Sequence, residues 1–519
     1  MNSVKQNHRL RKIIFYFIAV VAPFVVWIVA EMAANAITQR FEPLKVDKKK
    51  GTLYINQEYF TDYFLYDLDR YVNTSISNRA IHKDKKYRFR IFCLGGSTTA
   101  GYPYNTLPEY NCPASFPNYL RAILQYTKNM PEIEMLNLGS NAFNSLSVLK
   151  VFEDVKKYDP DLIIVYSGHN EYFGPNEFAL SKSANELYTK KFFNHTFLRL
   201  RQTYLYQGLK WVLKKVTKRG EVDYQDYAHW SLANTVPFND AFHEQVKTNF
   251  RRNLTELVRL ARKEGIQVVI CTPVSNLTFP PFVSQFREEP VYGVKARWDS
   301  LRNQASDLFD ARDNAGALEK WREMYLIDST YADVHYYTGM NYARLNEYRI
   351  ANEALTRAVD LDNLPFRANL DIQNITRDVA KNEQVILADV DQFFRQLSGK
   401  YYPEPSMLLD HVHPTEPGYY YVALFLARTL VTNGVFPGVK EIEFPTLEKT
   451  REALEIYDFV AYKVEFDFTN QSYLKQLSEL NPAIKIVINQ IRQNAITQAK
   501  AVGKKFFDEM NGKEKEETK

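Results

Sequence analysis

The sequence predicts an α/β fold built on a parallel sheet, and two observations carry that prediction. Apolar runs of strand length occur at 87–94, 133–138, 162–166, 266–271 and 385–390, as expected for strands buried on both faces. Segments of helical period separate them, notably at 116–126, 146–157 and 243–264, and that alternation is what a parallel sheet requires. At 519 residues and 45% hydrophobic, the chain has material for a large core and more than one unit.

Ahead of the first strand, residues 13–30 form an apolar run interrupted only by Pro23, long enough to span a bilayer. Lys5, Arg9, Arg11 and Lys12 precede the run on a short tail, so the positive-inside rule keeps the N-terminus cytoplasmic and exports the rest of the chain; Lys48, Lys49 and Lys50 pull the other way. Residues 1–38 are therefore expected to be a tail and single-pass transmembrane anchor, with the main domain on the extracytoplasmic, periplasmic side. A cleavable signal peptide ending at Ala34-Asn35-Ala36 is the competing reading, although the run is long for one. A polar connector is expected over 39–86.

The sheet domain is expected over 87–434, with two insertions too long to be ordinary connections. The first, 174–240, carries Lys190, Lys191, Arg199, Arg201, Lys210, Lys214, Lys215, Lys218 and Arg219 with no acidic residue between 190 and 219. Phe192, Phe193, Phe197, Leu200, Tyr204, Leu205, Leu209, Trp211 and Leu213 alternate with them, a composition suited to a helix lying in an anionic membrane surface. A solvated basic face over a packed core fits the same residues. The second insertion, 299–363, places Gly339, Tyr342, Ala351, Leu355 and Ala358 at tetratricopeptide spacing, with Ala305, Leu308, Ala317 and Trp321 in matching places one repeat earlier. It could take a protein partner, and a generic helical hairpin is the plainer alternative. Residues 435–519 read as a C-terminal helical extension.

Composition narrows the function. A net charge of +5 is small for this length, so no nucleic-acid partner is expected. The three cysteines, Cys93, Cys112 and Cys271, show neither disulfide nor metal-site spacing, and no metal or cofactor is expected. Cys93 and Cys271 sit inside strand runs, where a thiol acts as a small buried hydrophobe.

The chemistry-bearing residues gather at strand ends. The first strand runs into Gly95-Gly96-Ser97-Thr98-Thr99, which delivers a serine on a glycine-rich turn; phosphate-binding loops look similar, but the lysine they need is missing. The second strand ends at Gly139, and the third at Gly168-His169-Asn170-Glu171. Adjacent parallel strands thus bring Ser97, Gly139 and Asn170 to one crevice. Downstream, Asp410-His411-Val412-His413 precedes a helix-like segment at 418–430 and adds an acid and a base to the same rim.

These four blocks resemble the SGNH (GDSL-like) hydrolase family, and they occur in the family's order. Gly96 stands where the family's best-known pattern has aspartate. The resemblance implies a flavodoxin-like three-layer parallel sheet, with Ser97 as nucleophile, His413 as base and Asp410 orienting the imidazole. It implies an oxyanion hole formed by the N–H groups of Ser97 and Gly139 with the Asn170 amide. His411 does not fit the family's spacing and is expected to line the pocket or serve structure, and His169 to pack beneath the oxyanion loop. The expected activity is hydrolysis of an O-acyl, most simply O-acetyl, ester of an envelope glycan or lipid. An O-acyltransferase using the same triad, or an inert scaffold built on the repeat, are the alternatives.

Overall fold

A computed structural model describes residues 2–61, 78–86, 88–107, 110–172, 200–217, 232 and 235–503. Five parallel strands form the central sheet: β4 (Phe89–Gly95), β5 (Ile133–Asn137), β6 (Leu162–Tyr166), β7 (Gln267–Cys271) and β8 (Ile386–Ala388), preceded in the chain by β1 (Leu44–Asp47), β2 (Thr52–Ile55) and β3 (Ile81–His82). The order across the sheet is β5-β4-β6-β7-β8, so the winding direction reverses between β4 and β6. That reversal opens a crevice at the carboxyl ends of these two strands.

Both faces of the sheet are covered. Phe92, Leu94, Ile163 and Val165 meet helices Ser145–Val155, Phe242–Lys263 and Leu370–Asn382 on one side. Ile91, Cys93, Ile164 and Cys271 meet helices Phe116–Tyr126 and Glu416–Thr432 on the other. Alternate side chains along each strand thus feed two separate cores, which is why these strands read as continuous apolar runs. All three cysteines are buried and unbridged.

Residues 39–86, expected to be only a polar connector, include the small antiparallel sheet β1-β2-β3. A turn with Gly51 at φ +63 and Asp47 Oδ1 accepting from the Lys49 and Lys50 amides closes its first hairpin. Leu44, Leu53, Ile55, Tyr59, Phe60 and Ile81 join the main core, so this segment is a packed part of the domain.

The helical insertion begins at Tyr292, earlier than the predicted 299. Its four helices, Tyr292–Asp310, Asn314–Ile327, Ala332–Arg344 and Tyr348–Asp360, pack each against the next. At the amino end, helix Asn2–Thr38 contains a 24-residue stretch, Phe15–Thr38, long and apolar enough to cross a membrane. Of the basic insertion, Phe192, Phe193 and Phe197 lie outside the described residues, and helix Tyr204–Thr217 lies within them.

Candidate active site

β4 ends at Gly95, and the chain turns at once into the short helix Ser97–Ala100, so Ser97 stands at the mouth of the crevice. The turn needs glycine at 96 for reasons of space. A Cβ there would come within 2.8 Å of Asn170 Nδ2 and 3.2 Å of the Phe143 carbonyl oxygen, and a side chain would push both away from the serine. Gly96, where the related pattern has aspartate, leaves Asn170 packed directly against the turn.

The His413 imidazole bridges Ser97 and Asp410. Its Nε2 lies 2.7 Å from Ser97 Oγ, and its Nδ1 lies 2.7 Å from Asp410 Oδ2. The three-residue spacing of Asp410 and His413 has a local cause. Asp410 Oδ1 accepts the amides of Val412 and His413, both at 2.8 Å, folding the segment into an Asx-type turn that swings His413 back over its own carboxylate. Asn276 secures this turn from β7's side, donating from Nδ2 to the Asp410 carbonyl and from its amide to the His411 carbonyl.

Asp410 is fully buried. Desolvation alone would raise its pKa, but the imidazoles of His413 and His411 and the hydrogen bonds it accepts outweigh that and hold the carboxyl well below its usual range. An ionised acid facing Nδ1 fixes the imidazole tautomer with Nε2 bare toward the serine, as a base requires.

Neither neighbouring histidine can take the base's place. Burial, followed by the nearby imidazoles, lowers His169 to about 3. Its Nδ1 accepts the Ala368 amide at 3.2 Å, and its ring packs 6.1 Å from Tyr166, centre to centre. Burial likewise lowers His411 to about 4, and its ring is wedged 4.9 Å from Phe282 and 5.6 Å from Phe279.

Gly139, expected as an oxyanion donor, has its N–H engaged within its own turn, by Asn137 Oδ1 at 3.1 Å, two residues back. The glycine serves close packing, since a Cβ would lie 2.4 Å from the Ala100 nitrogen. Asn170 is better disposed. One amide hydrogen reaches the Phe143 carbonyl at 3.1 Å, which orients the group beside Gly96 and leaves its second hydrogen to the crevice.

Sequence reasoning missed two supports. Tyr102 sets its ring 4.8 Å from the His413 ring, and its hydroxyl donates to Gln471 Oε1 at 2.7 Å. Glu171, just past Asn170, accepts the amide and hydroxyl of Ser145 at 2.9 and 2.7 Å, and burial raises its pKa to about 7. Asn170-Glu171 could have flagged the second; nothing around Tyr102 marks the first. Among the described residues no cluster of His, Cys, Asp and Glu could hold a metal ion.

No family model and no curated protein matches this chain. Among solved structures, an acetyl xylan esterase is similar at 12% identity and TM-score 0.30, covering 66% of this chain and 100% of its own. A catalytic mutant of an acetylxylan esterase from Geobacillus stearothermophilus is similar at 12% identity and TM-score 0.29, covering 69% and 98%. A GDSL-like lipase from Bacteroides thetaiotaomicron VPI-5482 is similar at 12% identity and TM-score 0.28, covering 67% and 89%.

Proposed function

We propose that this chain is a serine esterase of the SGNH type, and one observation carries the reading: the unbroken line from Ser97 Oγ through both ring nitrogens of His413 to Asp410. His413 Nε2 removes the Ser97 proton as Oγ attacks an ester carbonyl, and the buried Asp410 carboxylate steadies the imidazolium. Collapse expels the alcohol, which takes its proton from His413 and leaves an acyl group on Ser97. Water, deprotonated by the same imidazole, then releases the acid. The second Asn170 amide hydrogen and the Ser97 N–H are the donors to the developing oxyanion, and the Gly139 N–H joins them where it turns from Asn137 Oδ1.

The substrate class we propose is an O-acyl, most simply O-acetyl, ester of an envelope glycan or lipid. It rests on reading Phe15–Thr38 as a membrane anchor that tethers the domain on the extracytoplasmic side.

The test is covalent labelling of the full-length protein by a fluorophosphonate, which needs an activated serine but no knowledge of the substrate. Wild type should label and Ser97→Ala should not, while Asp410→Asn should label at least about a hundredfold more slowly. Equal labelling of wild type and Ser97→Ala, or none of either, would overturn the reading.

A further inference from the structure

Helix Tyr204–Thr217 reverses the ordinary rule of amphipathic helices. Leu205, Leu209 and Val212 recur at i, i+4 and i+7 and so share one face, yet they are 51%, 54% and 47% exposed. Trp211 is exposed beside them, with the Lys215 ammonium 3.9 Å over its ring. A soluble domain turns such a stripe inward; here it is exposed among the described residues.

The helix is joined to the apolar amino-terminal helix. Glu31, on that helix, receives the Tyr204 amide at 2.7 Å and the Leu205 amide at 2.8 Å, capping the start of Tyr204–Thr217. Trp27 Nε1 donates to the same carboxylate at 3.0 Å. Phe41 packs its ring 5.0 Å from Tyr204, whose hydroxyl also contacts Thr38 Oγ1. The exposed stripe therefore starts beside the carboxyl-terminal turns of the proposed anchor, close to Trp27 and Tyr204, residue types that favour the boundary between lipid and water.

We infer that Tyr204–Thr217 is an interfacial helix seated in an anionic bilayer surface, with Glu31 as the joint that fixes it to the anchor. Leu205, Leu209 and Val212 enter the acyl boundary, and the exposed Lys215 reaches lipid phosphate. Charge favours this occupant over a second copy of the chain, because residues 190–219 carry nine cations and no acid and two copies would repel. The inference rests on the anchor reading and deepens it: the enzyme is held by a spanning helix and a surface helix at a defined angle, which sets the height of the Ser97 crevice above the lipid.

The experiment uses the full-length chain in vesicles of phosphatidylcholine with or without phosphatidylglycerol. A bimane label is placed at Leu209→Cys or, on the opposite flank, at Lys210→Cys; the native cysteines are buried. In anionic vesicles, lipids brominated on their chains should quench the Leu209→Cys label about threefold more than the Lys210→Cys label. Glu31→Ala should bring that ratio towards one, and an unchanged ratio overturns the joint. A protein that floats with vesicles after carbonate washing but gives equal quenching at both sites overturns the surface helix and leaves the anchor standing. A protein that does not float overturns both.

Discussion

The two helical insertions share a pattern and differ in what covers it. In Tyr292–Asp360, large residues meet inside the protein: Trp298, Ala305, Ala317, Trp321, Met324 and Val334 form one core, and Trp321 stacks on Tyr337 at 4.8 Å. A second core, around Tyr336, Ala351, Leu355 and Ala358, takes in Leu277 and Tyr402 of the sheet domain. Asp333 ties the insertion down further, its amide donating to Ser284 Oγ and its carboxylate accepting from Asn481. In Tyr204–Thr217 the apolar stripe is exposed among the described residues, and Glu31 ties the start of the helix to the amino-terminal helix. Periodicity reports that a helix has an apolar face; it does not say what lies against that face. Small residues spaced to admit another helix mark the first insertion as packed within protein, and unbalanced positive charge is what the second has in their place.

Truncating each face separates the two. Trp321→Ala should cost about 3–5 kcal/mol in denaturant unfolding, because it empties a closed core. A loss below about 1 kcal/mol would mean that the insertion is loosely attached. Glu171, beneath the crevice and outside both insertions, gives a reference with a different signature. Its folded pKa of about 7 lies above the ordinary value, so the folded state holds the proton longer, and stability is greatest below about pH 4.5 and falls as pH rises to about 7. That slope approaches about 1.4 kcal/mol per pH unit for one proton. Glu171→Gln should lower the slope near pH 7 by about that amount, leaving the share of Glu465, which burial also raises to about 7. It should not alter the effect of Trp321→Ala, and an unchanged slope assigns the titration elsewhere.

Gly339→Val should cost about 1–3 kcal/mol, because a Cβ there would lie 2.7 Å from Leu355 Cγ and force two helices of the packed insertion apart. Leu209→Ala is the smallest expected effect: detergent-solubilised protein should unfold within about 0.5 kcal/mol of wild type, since no protein contact is lost. A loss as large as that at Trp321 would show that the stripe is covered by protein after all.

The parts legible in sequence were those whose signal is local. Strands buried on both faces announce themselves as apolar runs, and Asp410-x-x-His413 is a turn whose geometry is set by its own carboxylate. The small sheet of residues 44–82 was overlooked because its strands are two to four residues long and their alternation, as at Leu53 and Ile55, is brief. Gly139 is ambiguous in sequence because a glycine at a strand end suits an exposed amide and a close helix equally, and no local pattern foretells that Asn137 Oδ1 lies against its N–H. Tyr102 was invisible for another reason: its partners, His413 and Gln471, lie more than three hundred residues away.

That distance bears on how the molecule reaches its working form. Besides Tyr102 on Gln471, the Tyr104 hydroxyl donates to Glu465 and the Tyr110 hydroxyl to Asp467, both at 2.6 Å. Three tyrosines just past the nucleophile are thus clasped by one stretch of the C-terminal helices, across sequence separations of 357 to 369 residues. During synthesis these contacts cannot form until the clasp has emerged. The surroundings of Ser97 are therefore complete only once residues 465–471 are present, and a nascent chain that stalls before residue 465 carries the whole triad but an unclasped rim.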